Sequence, residues 1–352
     1  MNRAFWKGRP VMVTGMTGFK GSWLALWLAR SGAKVSGYAL APPTMPSLFE
    51  RAKVGTLVES TNGDVRSLAA LKDELTKRQP EVIIHLAAQP IVRTSYESPV
   101  ETFETNVMGT VNVLEAARTS PHVKVVVVVT SDKCYEDQQR GVAYREDDRL
   151  GGHDPYATSK ACAELVAESY RRSLLGETGP AVVTARAGNV IGGGDWARDR
   201  LIPDIVTAFA SGRPAIIRNP ACVRPWQHVL DPLAGYLLLA ERAWESRSGF
   251  SSAWNFGPPP DAMQPVSAVV EDLCRLWGGG ARWERDGSSQ PHETLLLTLV
   301  SAKAREKLGW APRLAYADSL RWTADWYRQV ANGGDARTWT VRQIETYEEM
   351  AA

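Results

Sequence analysis

Residues 10–21 read PVMVTGMTGFKG. A short apolar run that gives way to glycines and then to an amphipathic segment is the pattern of a buried strand passing into a helix. Gly15, Gly18 and Gly21 form G-x-x-G-x-x-G at that passage. Glycines there let the backbone approach a pyrophosphate at the positive end of the helix. The spacing departs from the G-x-G-x-x-G of the commonest dinucleotide fingerprint. The plainer reading is a tight turn whose glycines serve packing, but the position at the first strand-to-helix crossover favours a nucleotide.

Outward from this stretch the pattern repeats. Strands are predicted over 10–14, 34–38, 82–86, 125–129 and 181–186, and helices over 18–30, 67–78, 99–119 and 156–174. Strands that are nearly unbroken apolar runs, each followed by a helix, predict an α/β protein with a doubly wound parallel sheet of Rossmann type, covered on both faces. After about residue 190 the pattern loosens into short helices (202–211, 233–243, 266–277, 317–330) among Gly-, Pro- and Trp-rich loops. The expected division is a nucleotide-binding domain over 1–190 and a smaller substrate-binding lobe over 191–352, with the chain crossing between them more than once.

Composition narrows the function classes. The 352 residues carry 41 basic and 39 acidic side chains, a net charge of +2, too balanced for a nucleic-acid or anionic-membrane binder. Cys134, Cys162, Cys222 and Cys274 lack C-x-x-C spacing, so neither a zinc site nor a disulfide framework is indicated. The first nine residues hold no apolar signal region, and no apolar run reaches the length of a membrane span. A cytoplasmic enzyme with reduced thiols and no metal is expected.

Two stretches carry chemistry. Residues 125–135 read VVVVVTSDKCY, a buried strand ending in Thr130, Ser131, Asp132 and Lys133. Tyr156 and Lys160, four apart, lie one above the other on a helix opened by Pro155. A nearby ammonium favours phenolate and draws the tyrosine toward the range of a general base. Alone, Y-x-x-x-K is more often a solvated helix face; after a glycine-loop domain it is a catalytic signature. The end of the second predicted strand, GYALAP, lacks both the acid that binds a 2′-hydroxyl and the arginine that accepts a 2′-phosphate. Asp64 is placed to bind the adenine, or else to cap the helix that follows.

These motifs, with His85-Leu86-Ala87-Ala88, Thr105-Asn106-Val107-Met108-Gly109-Thr110 and Arg186-Ala187-Gly188-Asn189-Val190, resemble the extended short-chain dehydrogenase/reductase superfamily. TSDKCYE, GGHDPYATSKACAEL and RPWQHVLDPLAGYLLLAE are most similar to its CDP-hexose 4,6-dehydratases. The resemblance implies NAD as cofactor, with Gly15, Thr17, Gly18, Phe19, Gly21, Asp64, Val65, Leu86, Ala87, Ala88, Thr130, Tyr156 and Lys160 around it. NADP stays open, since the second strand ends bare and Lys20 stands within the glycine loop.

The implied reaction oxidises C4 of the hexose, removes the C5 proton, expels the C6 hydroxyl as water and returns the hydride to C6. Tyr156 would take the C4 hydroxyl proton, and Lys160 would hold the nicotinamide ribose and depress the tyrosine. Ser131 would hydrogen-bond O4, and Asp132 would act as acid toward the C6 hydroxyl. Lys133 stands where dTDP-glucose dehydratases have a glutamate base; it would act at C5 as a neutral base or as a cation steadying the enolate. Pairing with Asp132 or Glu136 is its plainer reading.

Arg93, Asn189, Arg200, Leu201, Arg218, Arg224, Trp226 and His228 are the candidate substrate contacts, the arginines suiting a diphosphate through their fixed fork. Helices 105–118 and 156–174 correspond to the superfamily's dimer interface, with Ala116, Ala117, Ala161, Ala163 and Ala167 permitting close packing. A homodimer, or a tetramer, is expected. An epimerase or reductase on the same fold and a non-catalytic nucleotide sensor are the competing functions.

Overall fold

The structure is a computed structural model and describes residues 1–137, 143–287 and 298–350. In chain order its strands are β1 (Pro10–Thr14), β2 (Lys34–Ala39), β3 (Glu59–Asn62), β4 (Val82–His85), β5 (Val125–Val129), β6 (Ala181–Ala187), β7 (Asn189–Ile191), β8 (Ala215–Ile217), β9 (Val223–His228), β10 (Ala253–Phe256), β11 (Met263–Pro265) and β12 (Trp283–Arg285). Among the described residues seven of them form one sheet in the order β10-β6-β5-β4-β1-β2-β3. Each neighbouring pair in it is parallel. This is the doubly wound Rossmann arrangement that the apolar strands predict, and the strand order reverses between β1 and β4.

The valine strand explains why the sheet needs cover on both sides. Val125, Val127 and Val129 join the core beneath Trp23, Trp27 and Leu237, whereas Val126 and Val128 join Leu71, Val113 and Ala117 on the opposite face. Alternate side chains of a strand point to opposite faces. Each valine so buried contributes about 1.5–3 kcal/mol of transfer free energy. β-branched residues also hold one rotamer, which stiffens the strand that ends in the polar knot.

Helix Phe19–Arg30 begins at Gly18 and matches its predicted span. Helix Val266–Trp277 likewise falls where its apolar period of 3.6 places it. The segment predicted as one helix over 99–119 runs through Pro99–Phe103 and Gly109–Thr119, with a π-turn over Glu104–Met108 between them. The helix predicted over 156–174 ends in another π-turn, Tyr170–Leu174. Such turns lie beyond periodicity, because one extra residue per turn leaves no mark in composition.

Two elements are unforeseen. β10 returns from the second half of the chain to pair with β6, Ala253 to Phe256 lying against Thr184 to Ala187. Helix Ala336–Glu349 packs on helix Phe19–Arg30, joined by the Trp27 indole donating to Glu348 at 2.9 Å. Outside the large sheet, β7, β9 and β11 form a second sheet and β8 pairs with β12. The alanines expected at a dimer seam serve the monomer instead: Ala116, Ala117 and Ala167 are buried against the sheet face.

Candidate active site

All seven strands point the same way, so the residues after β1, β4, β5 and β6 gather along one edge, where open parallel sheets place their ligands. Gly15 follows β1 with φ +70°, and a Cβ there would lie 2.6 Å from the Ala87 nitrogen. Only glycine fits both the left-handed backbone and the close approach of the Leu86-Ala87 segment. That segment is held by Thr14, whose Oγ1 accepts from the Ala87 N–H at 3.2 Å and whose carbonyl accepts from Leu86. Thr17 donates to the Leu40 carbonyl at 2.9 Å and so closes the turn toward the end of β2.

The first turn of helix Phe19–Arg30 receives no side-chain cap, since Gly18 has none to offer. Its leading N–H groups therefore face the cleft, as an anion-binding helix terminus requires. Near the end of β3, Asp64 accepts from the Arg66 backbone at 2.9 Å and pairs with its guanidinium at 2.7 Å. The helix cap is Ser67, not Asp64. Val65 packs beside Gly109 in the core between β1 and helix Gly109–Thr119. These residues fit a dinucleotide lying across the β1–β4 switch.

On the other side of the switch, Ser131 is the centre of the arrangement. Its Oγ donates to the Asp132 carboxylate at 3.0 Å and accepts from the Lys133 N–H at 3.2 Å, and it acts to lower the Tyr156 phenol. Burial raises the Asp132 carboxyl above its ordinary range, with Lys133, Ser131, Arg224 and Lys20 pulling it back. A carboxylic acid so placed can donate a proton. The Lys133 side chain is half-buried and makes no ion pair with Asp132 or Glu136, whose carboxylate pairs with Arg149 at 3.1 Å. The lysine's charge nonetheless acts on Asp132, so the two are coupled without a salt bridge.

Tyr156 departs from its expectation. Burial pushes its phenol up to about 12, against the hydrogen bond to Ser131 and the charge of Arg200. Lys160 is itself lowered to about 8 by burial, with Glu164 and Cys134 raising it. The depression of the tyrosine that spacing alone suggested is outweighed by desolvation. The helix carrying both residues is capped by Asp154, which accepts from Ala157 at 2.8 Å, and is fixed laterally by Ser95 and Asn106. Asn106 reaches from the π-turn to Ser159 Oγ at 2.8 Å, a tie that no motif announces.

The substrate candidates divide. Arg200 pairs with Asp195 at 2.8 Å and acts electrostatically on Tyr156 and Lys20. Leu201 opens the helix that Arg200 precedes. Arg224 acts on Asp132, and Asn189 lies beside Trp226 in the β7–β9 pair. Arg93 and Arg218 converge on Asp199, at 3.6 and 2.6 Å, an acid the sequence reading missed.

Trp226 and His228 do not reach the cleft. Trp226 is 3% exposed and donates its indole N–H to the Gln264 carbonyl; His228 is fully buried between Trp23 and Trp322 and lowered to about 3 by that burial. Their segment, VRPWQH, shows no clean alternation, and the second half of β9 is buried on both faces.

Lys20 was left without a role, yet its ammonium faces Arg200, Lys160, Asp132 and Asp195 and is lowered to about 7 by burial. Glu164, one turn below Lys160, and Arg186 form a buried ion pair at 2.8 Å. The i,i+4 spacing from Lys160 to Glu164 was the available signal.

A family model described as the NAD dependent epimerase/dehydratase family matches residues 11–255. The chain is 47% identical to a CDP-glucose 4,6-dehydratase of Salmonella typhimurium, over 99% of this chain and 98% of that one. Its fold is similar to the dTDP-glucose 4,6-dehydratase of Streptomyces venezuelae solved with NAD and TYD bound, with TM-score 0.77, 26% identity, and coverage of 93% and 99% of the two chains. A UDP-glucose 4-epimerase of Thermus thermophilus in complex with NAD gives TM-score 0.78 at 26% identity, covering 90% of this chain and 98% of that one. The resemblance read from TSDKCYE and its companions is borne out. This chain belongs to the NAD dependent epimerase/dehydratase family.

Proposed function

We propose that the chain is a CDP-D-glucose 4,6-dehydratase that converts its substrate to CDP-4-dehydro-6-deoxy-D-glucose. The observation that carries this reading is that Ser131, hydrogen-bonded to Asp132 at 3.0 Å, also acts on the buried Tyr156 phenol, so that a base and an acid share one sheet edge. An epimerase needs the base but has no use for the acid.

NAD, when bound, supplies the acceptor that takes the C4 hydrogen as hydride and returns it at C6. Gly15, Gly18 and the open helix terminus would hold its pyrophosphate, and Lys160 its nicotinamide ribose. Tyr156 takes the O4 proton, and Ser131 steadies the charge that develops on O4. The ketone at C4 makes the C5 proton acidic, and Lys133, which follows Asp132 at the end of β5, is assigned to that proton. Asp132, whose affinity for a proton is raised by burial, donates to the departing C6 hydroxyl. Arg200 and Arg224 are assigned to the diphosphate.

We further read residues 191–352 as the lobe that shapes the sugar-nucleotide side of the cleft, with β10 returning to the large sheet. A homodimer is proposed on exposed Val100 (69%), Phe103 (36%), Met108 (50%) and Leu165 (58%), which lie on the two helical segments flanking the site. A second copy would cover them. The setting is taken as cytoplasmic, since none of the four cysteines forms a disulfide and no described helix is long and apolar enough to cross a membrane.

The test is a panel of CDP-, dTDP-, UDP- and GDP-hexoses in D₂O. CDP-D-glucose should give a 4-keto-6-deoxy product with deuterium at C5, and a deuterium label first placed at C4 should reappear at C6 of the same molecule. Loss of the C4 label to solvent, or turnover confined to another nucleotide, overturns the reading.

A further inference from the structure

Beneath the reacting groups lies a buried ion pair that the mechanism does not use. Glu164 is 1% exposed on the catalytic helix and Arg186 is 3% exposed on β6, with Nη2 to Oε2 at 2.8 Å. Removing two charges from water is offset by engaging their remaining donors and acceptors. Here the engagement is specific, Arg186 Nε alone of the pair's polar atoms lacking a partner among the described residues. Glu164 accepts from Thr130 on one oxygen and from Thr184 at 2.6 Å on the other. Arg186 donates to the Tyr135 hydroxyl at 2.7 Å and to the Glu146 carbonyl at 3.0 Å, and Tyr135 passes its own proton to Asn255 on β10.

Thr130 and Tyr135 stand immediately either side of the Ser131–Cys134 segment. Both ends of the stretch that presents Ser131, Asp132 and Lys133 are therefore fastened to one ion pair, itself anchored to β6, β10 and the helix of Tyr156. We infer that Glu164 and Arg186 are positioning residues for the reaction: they set Ser131 and Asp132 in register with Tyr156, and Glu164 keeps Lys160 charged. This rests on the roles proposed above for Tyr156 and Lys160.

The electrostatic part follows from the surroundings of Lys160. On its own helix it meets Tyr156 and Glu164, after β5 Cys134, at the end of β4 the neutral His85, and at the first helix the cation Lys20, with Arg186 behind Glu164. Cys134 is a thiol held far above its ordinary range by burial, and Lys20 repels. Glu164, held ionised below its usual range by Arg186 and the two threonines, is the anion that sustains the ammonium.

Two substitutions separate the parts. Glu164→Gln keeps the shape and an acceptor but removes the anion; in the holoenzyme the alkaline limb of the kcat/KM profile should move down by about one pH unit. Tyr135→Phe leaves the ion pair in place but frees one end of the segment; kcat should fall about tenfold or more with the alkaline limb where it was. Glu164→Gln, folded by circular dichroism, with the parental profile overturns the electrostatic role, and Tyr135→Phe with the parental kcat overturns the positioning role. Should Glu164→Gln fail to fold, Glu164→Asp, which keeps the anion but withdraws it by one methylene from Lys160, is expected to move the limb the same way by less; an unmoved limb there overturns the role equally.

Should the parent turn over no sugar nucleotide, the proposed function fails instead. Titration of ¹³C-labelled lysines by NMR then still reads Lys160 in the NAD-free protein. A lower Lys160 pKa in Glu164→Gln supports the inference, and an unchanged one overturns it.

Discussion

Lys160 donates its ammonium to the main-chain carbonyl of Val129 at 3.3 Å, joining the catalytic helix to the last residue of the valine strand. Two residues beyond Val129 is Ser131, whose hydroxyl meets Tyr156. The distance between base and acid is thus fixed by strand β5 and by one turn of helix, two rigid elements, and no mobile loop intervenes. Tyr156→Phe should lower kcat by about 10²–10⁴-fold, with NAD still bound and thermal unfolding near parental, as measured by steady-state turnover and calorimetry.

Asp132→Asn separates the two halves of the reaction. Oxidation at C4 needs Tyr156, whereas water loss at C6 needs the acid. The variant should lose about a hundredfold or more of product formation while reduced nicotinamide accumulates on the protein, visible in its near-ultraviolet absorbance. Full turnover in this variant would point to an epimerase.

Gly15→Ala and Gly18→Ala should behave differently. At Gly15 a methyl meets the Ala87 nitrogen at 2.6 Å with φ +70°, so folding stability should drop by about 1–3 kcal/mol and NAD affinity with it. At Gly18 the methyl meets only the Gly15 carbonyl, at 3.4 Å, and φ is −77°. There the fold should survive and NAD affinity alone should fall, as denaturant melts and calorimetric titration would show.

A remote carboxylate governs part of the pH dependence of stability. Asp231, buried and raised to about 6 by desolvation, accepts from Tyr347 and the Arg313 N–H through Oδ1, while Oδ2 has no partner. Its folded pKa exceeds the unfolded one, so folding takes up a proton between about 4 and 6. The burden of the buried charge is absent below that window and complete above it. Asp231→Asn should therefore raise Tm relative to the parent at pH 8 and change it little at pH 4. A difference independent of pH would count against this account.

Val100→Glu with Leu165→Glu should shift the protein to monomer in sedimentation velocity, since both side chains are exposed, at 69% and 58%. A charged pair placed in a helical seam repels its copy in the partner and is costly to desolvate. An unchanged sedimentation coefficient would place the interface elsewhere.

Legibility from sequence followed locality. The glycine loop, the valine strand and Tyr156-x-x-x-Lys160 announce themselves because the period of two or of 3.6 and the glycine spacing are local properties. Trp226 and His228, candidate substrate contacts by resemblance, show the opposite case, for both are buried in the structure. The faces are decided by what packs above them, here Trp23 and Trp322.

By itself the sequence determined the fold class, the strands β1, β2, β4, β5 and β6 of the parallel sheet, and the two stretches that hold the candidates Ser131, Asp132, Lys133, Tyr156 and Lys160. It also determined the likeness to 4,6-dehydratases, since long motifs carry family identity. Only the tertiary structure decided which arginines face Asp132, that β10 closes the sheet, and that burial overrides spacing in the pKa of Tyr156. It also joined Thr130, Tyr135, Glu164 and Arg186. Desolvation and long-range pairing depend on residues far apart in the chain, 120 positions for Tyr135 and Asn255, and no window along the chain contains them.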